Sequence, residues 1–294
     1  MKDNKKYVLL TGASGLVGRN VSEALARQGF AVIQCNRKAL FILNEIVGDI
    51  SAIEWSNNVF DSLKGKDVIA CIHLAAQPTV WRSIKHPKMD LECNVTATLN
   101  VIEVMNALSI PKIIFASSEA VFGENLYPDE ATELKPCNPY GISKAAAENY
   151  IRFYSEIYGY DYTIVRPSFV IGNGFDRNVI FDILESIHLR KQGVELSTSL
   201  ASKFNFVDVS CVSNTIVNLL MTEKQYDQIN IVGREDVSLS EIINLIETLT
   251  GQEIKVQDNS QNIRIACLRS RYMDIYDHYQ VTLENSLKKL IHLV

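Results

Sequence analysis

Residues 7–18 read Tyr7-Val8-Leu9-Leu10-Thr11-Gly12-Ala13-Ser14-Gly15-Leu16-Val17-Gly18, and this stretch decides the fold. The run from Tyr7 to Leu10 is short and apolar, as a parallel strand buried on both faces must be. Thr11-Gly12 ends it. A helical pattern through Val21, Ala24 and Leu25 then runs to Gly29. Strand, glycine turn and helix in this order form a cradle for a dinucleotide pyrophosphate. The glycines let the backbone come close, and the helix N-terminus offers free N–H groups and a positive dipole end. Gly12, Ser14, Gly15, Leu16, Val17 and Gly18 are therefore candidate cofactor contacts.

Outward from this turn the βα alternation continues. Residues 31–35 form the expected second strand. Dinucleotide folds place an Asp or Glu at its end to hold the ribose 2′-OH of NAD. Here Asn36 stands there, followed by Arg37 and Lys38. A carboxylate would repel a 2′-phosphate, whereas Arg37 can pair with one, so this reading favours NADP over NAD. Further strands are expected at 46–50, 67–76, 113–116 and 162–166, with Asp49 at the end of the third. The small residues that close the fourth strand after Leu74, Ala75-Ala76, leave room for a cofactor at the strand ends. His73 lies inside that strand and reads as a packed core residue. A helix over residues 87–108 has Pro87 in its first turn.

Tyr140 and Lys144 stand four residues apart at the start of another expected helix, on one face. A nearby ammonium lowers a phenol pKa, so the pair could pass a proton to or from a substrate oxygen. After Pro167 the pattern loosens. Helices are expected at 179–191, 209–220, 239–249 and 282–293, with a short strand at 228–232. The fold expected is α/β: a doubly wound parallel Rossmann sheet in residues 1–167, with a smaller α/β substrate lobe in 168–294 interleaved with it.

Composition narrows the function. The 294 residues are 47% hydrophobic and 21% charged, which suits a large α/β domain with an appendage. A net charge of −5 argues against a general nucleic-acid or membrane surface. The N-terminus lacks the apolar run of a signal peptide, and no segment has the length of a membrane span. The six cysteines are scattered without a C-x-x-C. They read as small core residues of a reducing cytoplasm, with no metal site expected.

Taken together, the motifs resemble the extended short-chain dehydrogenase/reductases, the group of nucleotide-sugar epimerases and dehydratases. The stretches that carry the resemblance are Thr11-Gly12-x-x-Gly15-x-x-Gly18, Gly48-Asp49-Ile50, His73-Leu74-Ala75-Ala76-Gln77, Asn94-Val95, Ser117-Ser118-Glu119-Ala120-Val121-Phe122-Gly123, Pro139-Tyr140-Gly141-x-Ser143-Lys144 and Val165-Arg166-Pro167. The resemblance implies that Ser118 is the catalytic hydroxyl and Tyr140 the acid/base. Lys144 would lower the Tyr140 pKa and hold the nicotinamide ribose. Asp49 and Ile50 would flank the adenine, Asn94 would help from the neighbouring helix, and Leu74, Ala75, Ala76 and Pro167 would line the cofactor. Gln77, Glu119, Phe169, Lys203 and Arg269 are candidate substrate contacts, and Arg264 and Arg271 could extend an anion site. Sugar 4,6-dehydratases carry an Asp-Glu pair where this chain has Glu119-Ala120, so dehydration is disfavoured. The reading therefore leads to keto-reduction at C4 of a nucleotide-activated sugar with NADPH. A nucleotide-sugar 4-epimerase with resident NAD is the alternative, and a non-catalytic NADP-binding regulator the remote one. By family analogy the helices at 87–108 and 139–158 would pair in a homodimer.

Overall fold

The computed structural model describes residues 5–174, 179–189, 194–196, 198–257 and 262–291. In chain order β1 (Lys6–Thr11) leads to α1 (Leu16–Arg27), β2 (Ala31–Asn36), β3 (Glu45–Val47) and α2 (Ile53–Leu63). Next come β4 (Asp67–His73), α3 (Val80–Lys85), α4 (Pro87–Leu91), a π-helical turn (Glu92–Thr96) and α5 (Ala97–Ala107). β5 (Lys112–Ala116), α6 (Pro139–Tyr158) and β6 (Asp161–Pro167) follow. The remainder comprises β7 (Phe169–Ile171), α7 (Val179–His188), β8 (Val194–Glu195), β9 (Lys203–Asp208), α8 (Val209–Met221), β10 (Gln228–Ile231), β11 (Asp236–Ser238), α9 (Leu239–Thr250), β12 (Val256–Gln257), β13 (Ile265–Ala266) and α10 (Leu283–Ile291).

Seven strands form one sheet in the order β10-β6-β5-β4-β1-β2-β3. The pairings from β6 through β3 are parallel. The chain winds outward from β1 to β3, then returns to place β4 on the other side of β1. Strand order reverses there, and the crevice outside the carboxyl ends of β1 and β4 is where such sheets bind ligands. This is the doubly wound α/β fold expected. The strands bury Leu9, Cys71, Ile113, Phe115 and Ile164 against Trp55, Val101, Met105 and Ile151 of the helices.

The chain divides into two compact units. The first is Met1–Gly123, Ala131–Arg166 and Ser213–Ile229; the second is Glu124–Glu130, Pro167–Val212 and Asn230–Val294. Residues 213–229 join the first unit through specific bonds: Ile164 N donates to Asp227 O, and Lys112 Nζ donates to Leu219 O. Residues 124–130 join the second for a similar reason. The buried Glu130 carboxylate accepts from Asn230 N, Ser270 Oγ and Arg271 N. Within the second unit β9 pairs with β11, β13 and β7, and a core of Ile180, Phe204, Ile242, Ile246 and Leu287 lies against it.

Several boundaries differ from those read in the sequence. The third strand starts earlier and ends at Val47, so Gly48, Asp49 and Ile50 lie beyond it. The fourth ends at His73 because Leu74 N and Ala75 N turn to the Thr11 side chain. The helix at 87–108 is interrupted by the π turn, which carries the buried Asn94. Of the helices expected at 179–191 and 282–293, residues 190–191 and 292–293 lie outside the described residues. Four cysteines are buried, but Cys137 is exposed and Cys93 only partly covered, so not all six are core residues. Among the described residues no helix is long and apolar enough to cross a membrane.

Candidate active site

Gly12 closes β1 with φ 68°, the left-handed region that favours glycine. A Cβ there would stand 2.7 Å from Ala75 N, so the glycine turn presses on the backbone after β4. A Cβ on Gly18 would stand 2.1 Å from Gly12 O, which fixes how closely α1 packs on the turn. Gly15 N donates to Gly12 O at 3.0 Å, and no side chain caps α1 at Gly15. The first amides of α1 are thus left for an anion, and the turn fits a dinucleotide pyrophosphate.

Thr11 opens the glycine motif in the sequence without an assigned role, and in the structure its side chain holds this corner. Its hydroxyl accepts from Leu74 N and Ala75 N, both at 3.2 Å, and lies 2.6 Å from His73 Nδ1. With its lone pairs taken, Thr11 donates to Nδ1, which assigns His73 the Nε2–H tautomer that donates to Thr98 Oγ1. Thr98 donates in turn to Asn94 O at 2.6 Å. Burial, with the Lys144 charge adding to it, drives the His73 pKa down to about 3, so this residue is a neutral core link.

At the end of β2, Asn36 is buried. Its carboxamide oxygen accepts from Ser14 N at 3.0 Å, and its nitrogen donates to Glu45 Oε1 at 2.9 Å. Arg37 is exposed, and its charge acts on Asp49, whose carboxyl is lowered first by the Ser51 hydroxyl. Ile50 is buried, and its carbonyl accepts from Asn100 Nδ2.

Tyr140 and Lys144 stand on the first turns of α6. Pro139 is in the first turn, and the Asn138 side chain caps the helix by accepting from Gly141 N at 2.9 Å. Gly141 permits close packing, since a Cβ would be 2.3 Å from Ala120 O. That contact brings α6 onto the segment after β5, where Ser118 Oγ accepts from Ala120 N at 3.2 Å. Lys144 is 2% exposed, its Nζ 4.1 Å from the centre of the Phe115 ring. Burial pushes its pKa down to about 7, opposed by the carboxylates of Glu148 and Asp90. Burial also lifts Tyr140 to about 12, opposed by the Ser118 hydroxyl and helped by the charges of Asp90 and Glu119. The sequence reading expects Lys144 to lower the Tyr140 pKa. In the protein alone desolvation dominates and moves the two groups the opposite way.

Behind Lys144 lies a fully buried ion pair. Arg166 Nε and Nη2 donate to the two oxygens of Glu148 at 2.9 and 2.6 Å. Arg152 Nη2 adds a bond at 3.1 Å. These donors outweigh burial and hold the Glu148 carboxyl below its usual range. A second polar cluster ties α6 to the π turn. Asn94 Nδ2 donates to Ser143 Oγ at 2.9 Å and to the buried Asp90 at 3.1 Å, while its oxygen accepts from Gln77 N.

The structure spends several expected substrate contacts internally. The Gln77 amide donates to Thr79 O and Asp90 and accepts from Thr79 N, so it is a structural link. Arg269 is paired with Asp236 and stacked on Tyr127, and Arg271 is paired with Asp129, which removes them as a free anion site. Arg264 lies over the Phe169 ring. Phe169, Lys203 and Pro167 belong to the second unit, with Phe169 packed on Phe204 and Phe206 and Lys203 exposed on β9. Among the described residues no cluster of side chains could hold a metal ion.

A Rossmann sheet with an open glycine turn, Ser118 just after β5 and Tyr140 and Lys144 on α6 define an NAD-dependent enzyme of the extended short-chain dehydrogenase/reductase class. The chain belongs to the NAD dependent epimerase/dehydratase family, whose model matches residues 8–232. It is 31% identical over 250 residues to a putative UDP-glucose 4-epimerase of Methanocaldococcus jannaschii, covering 82% of this chain and 81% of that one. It is 27% identical over 271 residues to a UDP-glucuronate 4-epimerase of Thermodesulfobacterium geofontis, covering 85% and 82%. Among solved structures, MoeE5 in complex with UDP-glucuronic acid and NAD superposes with a TM-score of 0.87 at 26% identity, covering 97% of both chains.

Proposed function

We propose that this chain is a 4-epimerase of UDP-linked sugars that works with a resident NAD. The observation that carries the reading is the buried Tyr140 and Lys144 one turn apart on α6, with the Ser118 hydroxyl acting on the Tyr140 phenol, in a chain 31% identical to a relative named for this reaction. The relatives favour it over the keto-reduction to which the sequence motifs lead, and MoeE5, which binds NAD, favours NAD over NADP.

The glycine turn and the first amides of α1 would hold the pyrophosphate, with Asn36, Asp49 and Ile50 at the adenosine end and Lys144 at the nicotinamide ribose. NAD, when bound, accepts a hydride from the sugar carbon and returns it, so no cofactor is consumed. The chain's own part is proton transfer. Tyr140 must first lose its proton to solvent, which the neighbouring positive charge of Lys144 favours; the phenolate then takes the C4 hydroxyl proton as the hydride leaves and gives it back to the C4 oxygen as the hydride returns, while Ser118 hydrogen-bonds the same oxygen. Glu119-Ala120 lacks the second acid of a dehydratase, so elimination has no catalyst there.

The test is incubation of the purified chain with UDP-glucose or UDP-glucuronate and no added nucleotide, followed by proton NMR. Inversion at C4 without change in nicotinamide absorbance is expected. Steady NADPH consumption with a 4-keto nucleotide sugar, and no inversion, would establish the ketoreductase instead. A homodimer fits the exposed apolar face formed by Leu91 on α4 and Ile142, Tyr150, Phe153 and Ile157 on α6. Light scattering on the purified chain reads its mass directly.

A further inference from the structure

The cofactor corner holds a carboxylate that the strand pattern did not lead one to expect. Dinucleotide folds put their ribose-binding acid at the end of β2. This chain has Asn36 at that place, and the acid comes instead from the neighbouring strand. Glu45, the first residue of β3, sits opposite Gln34 in the β2–β3 register, and its side chain reaches along the strand to Asn36. The contact has one arrangement. Because Asn36 Oδ1 is taken by Ser14 N of the glycine turn, its nitrogen must face Glu45.

The loop between the two strands is built around the same carboxylate. Leu40 N donates to both Glu45 oxygens, at 2.8 and 3.0 Å, and Phe41 N donates to Oε2 at 2.9 Å. Phe41 and Asn44 take left-handed backbone angles, φ 58° and 59°, to wrap the loop around it. Partial desolvation raises the Glu45 pKa, but the Leu40, Asn36 and Phe41 donors outweigh it and hold the carboxyl below its usual range. The group is therefore ionised at neutral pH. Arg37 and Lys38 are exposed, and the Arg37 charge also acts on Asp49.

We infer that Glu45, linked to the glycine turn through Asn36, takes the part of the missing strand-end acid and makes this chain choose NAD over NADP. The inference rests on the reading that a dinucleotide fills this site, and it deepens that reading by naming the specificity residue. A 2′-phosphate at the end of β2 would meet the Glu45 charge, whereas a 2′-hydroxyl would not. Asn36 is the neutral intermediary, its amide fixed on one side by the turn and on the other by the acid.

The experiment is a calorimetric titration of NAD and of NADP into the full chain freed of bound nucleotide, for wild type, E45Q and E45D. E45Q removes the charge and keeps one acceptor oxygen for the Leu40 and Phe41 amides, its NH2 then facing Asn36 Nδ2; E45D keeps the charge. Wild type is expected to prefer NAD. The ratio Kd(NADP)/Kd(NAD) should fall about tenfold in E45Q, the scale of one unit-charge repulsion in a partly solvated site. E45D should stay on the wild-type side of that change. In wild type the ratio should also shrink as salt rises, because screening weakens the repulsion. This readout needs no variant to fold. A ratio equal in E45Q and wild type, or a wild-type ratio indifferent to salt, overturns the inference. So does a parallel loss of both affinities, which would make Glu45 a loop anchor only. Wild type preferring NADP overturns the inference and the choice of NAD together. Absence of C4 inversion with the ratios as expected leaves the inference standing and removes only the epimerase reading.

Discussion

Lys144→Met should make the nucleotide-free protein more stable while ending its catalysis. Methionine keeps the length and apolar stem of lysine and removes the charge. In the unfolded chain Lys144 titrates near its ordinary 10.5; in the folded chain burial brings it to about 7. Holding the folded group at that value costs about 5 kcal/mol in the limit of low pH, since each pKa unit corresponds to about 1.4 kcal/mol. The sign follows from proton counts. Between pH 7 and 10.5 the unfolded state binds more protons at this site, so wild-type stability rises with pH across that window. Below pH 7 the penalty is complete, and above 10.5 it is gone. By pH 9 it has shrunk to about 2 kcal/mol. Urea unfolding of wild type and Lys144→Met at pH 7, 8 and 9, followed by circular dichroism, reads the difference. The variant should be the more stable at pH 7, with its advantage falling by about 2 kcal/mol by pH 9. An advantage constant with pH, or none, refutes the claim that the dry pocket over Phe115 disfavours the ammonium.

Tyr140→Phe should leave the fold and retained NAD intact and lower turnover by about 10² or more, since only the proton-carrying hydroxyl is lost; near-normal C4 inversion removes Tyr140 from the mechanism. Glu148→Ala should destabilise the chain by about 3–5 kcal/mol, because it strands the buried Arg166 guanidinium; a change under 1 kcal/mol in urea unfolding would show that Arg166 relaxes to water. Gly18→Ala should cost about 1–3 kcal/mol, as its Cβ would meet Gly12 O and the Ala13 backbone. It should also weaken NAD titration, and a variant binding NAD as wild type does would mean that the turn tolerates the shift.

The sequence alone determined the doubly wound sheet and its ligand crevice. Buried parallel strands need unbroken apolar runs, and a tight strand-to-helix turn needs glycine, so residues 7–18 announced both. It also determined that Tyr140 and Lys144 share a helix face, because i,i+4 spacing is local geometry. Tertiary structure decided the electrostatics. Whether Lys144 lowers the Tyr140 pKa depends on how much water packing removes from each, and that depth is written in no short stretch of chain. The same holds for side chains spent on one another. Gln77 read as a substrate contact until Asp90 and Thr79 took its amide, and Arg269 until Asp236 took its charge. Asn36 read as the loss of an acid. The parallel register of β2 and β3 brought Glu45 to its side across nine positions of sequence, a distance only a folded sheet can close.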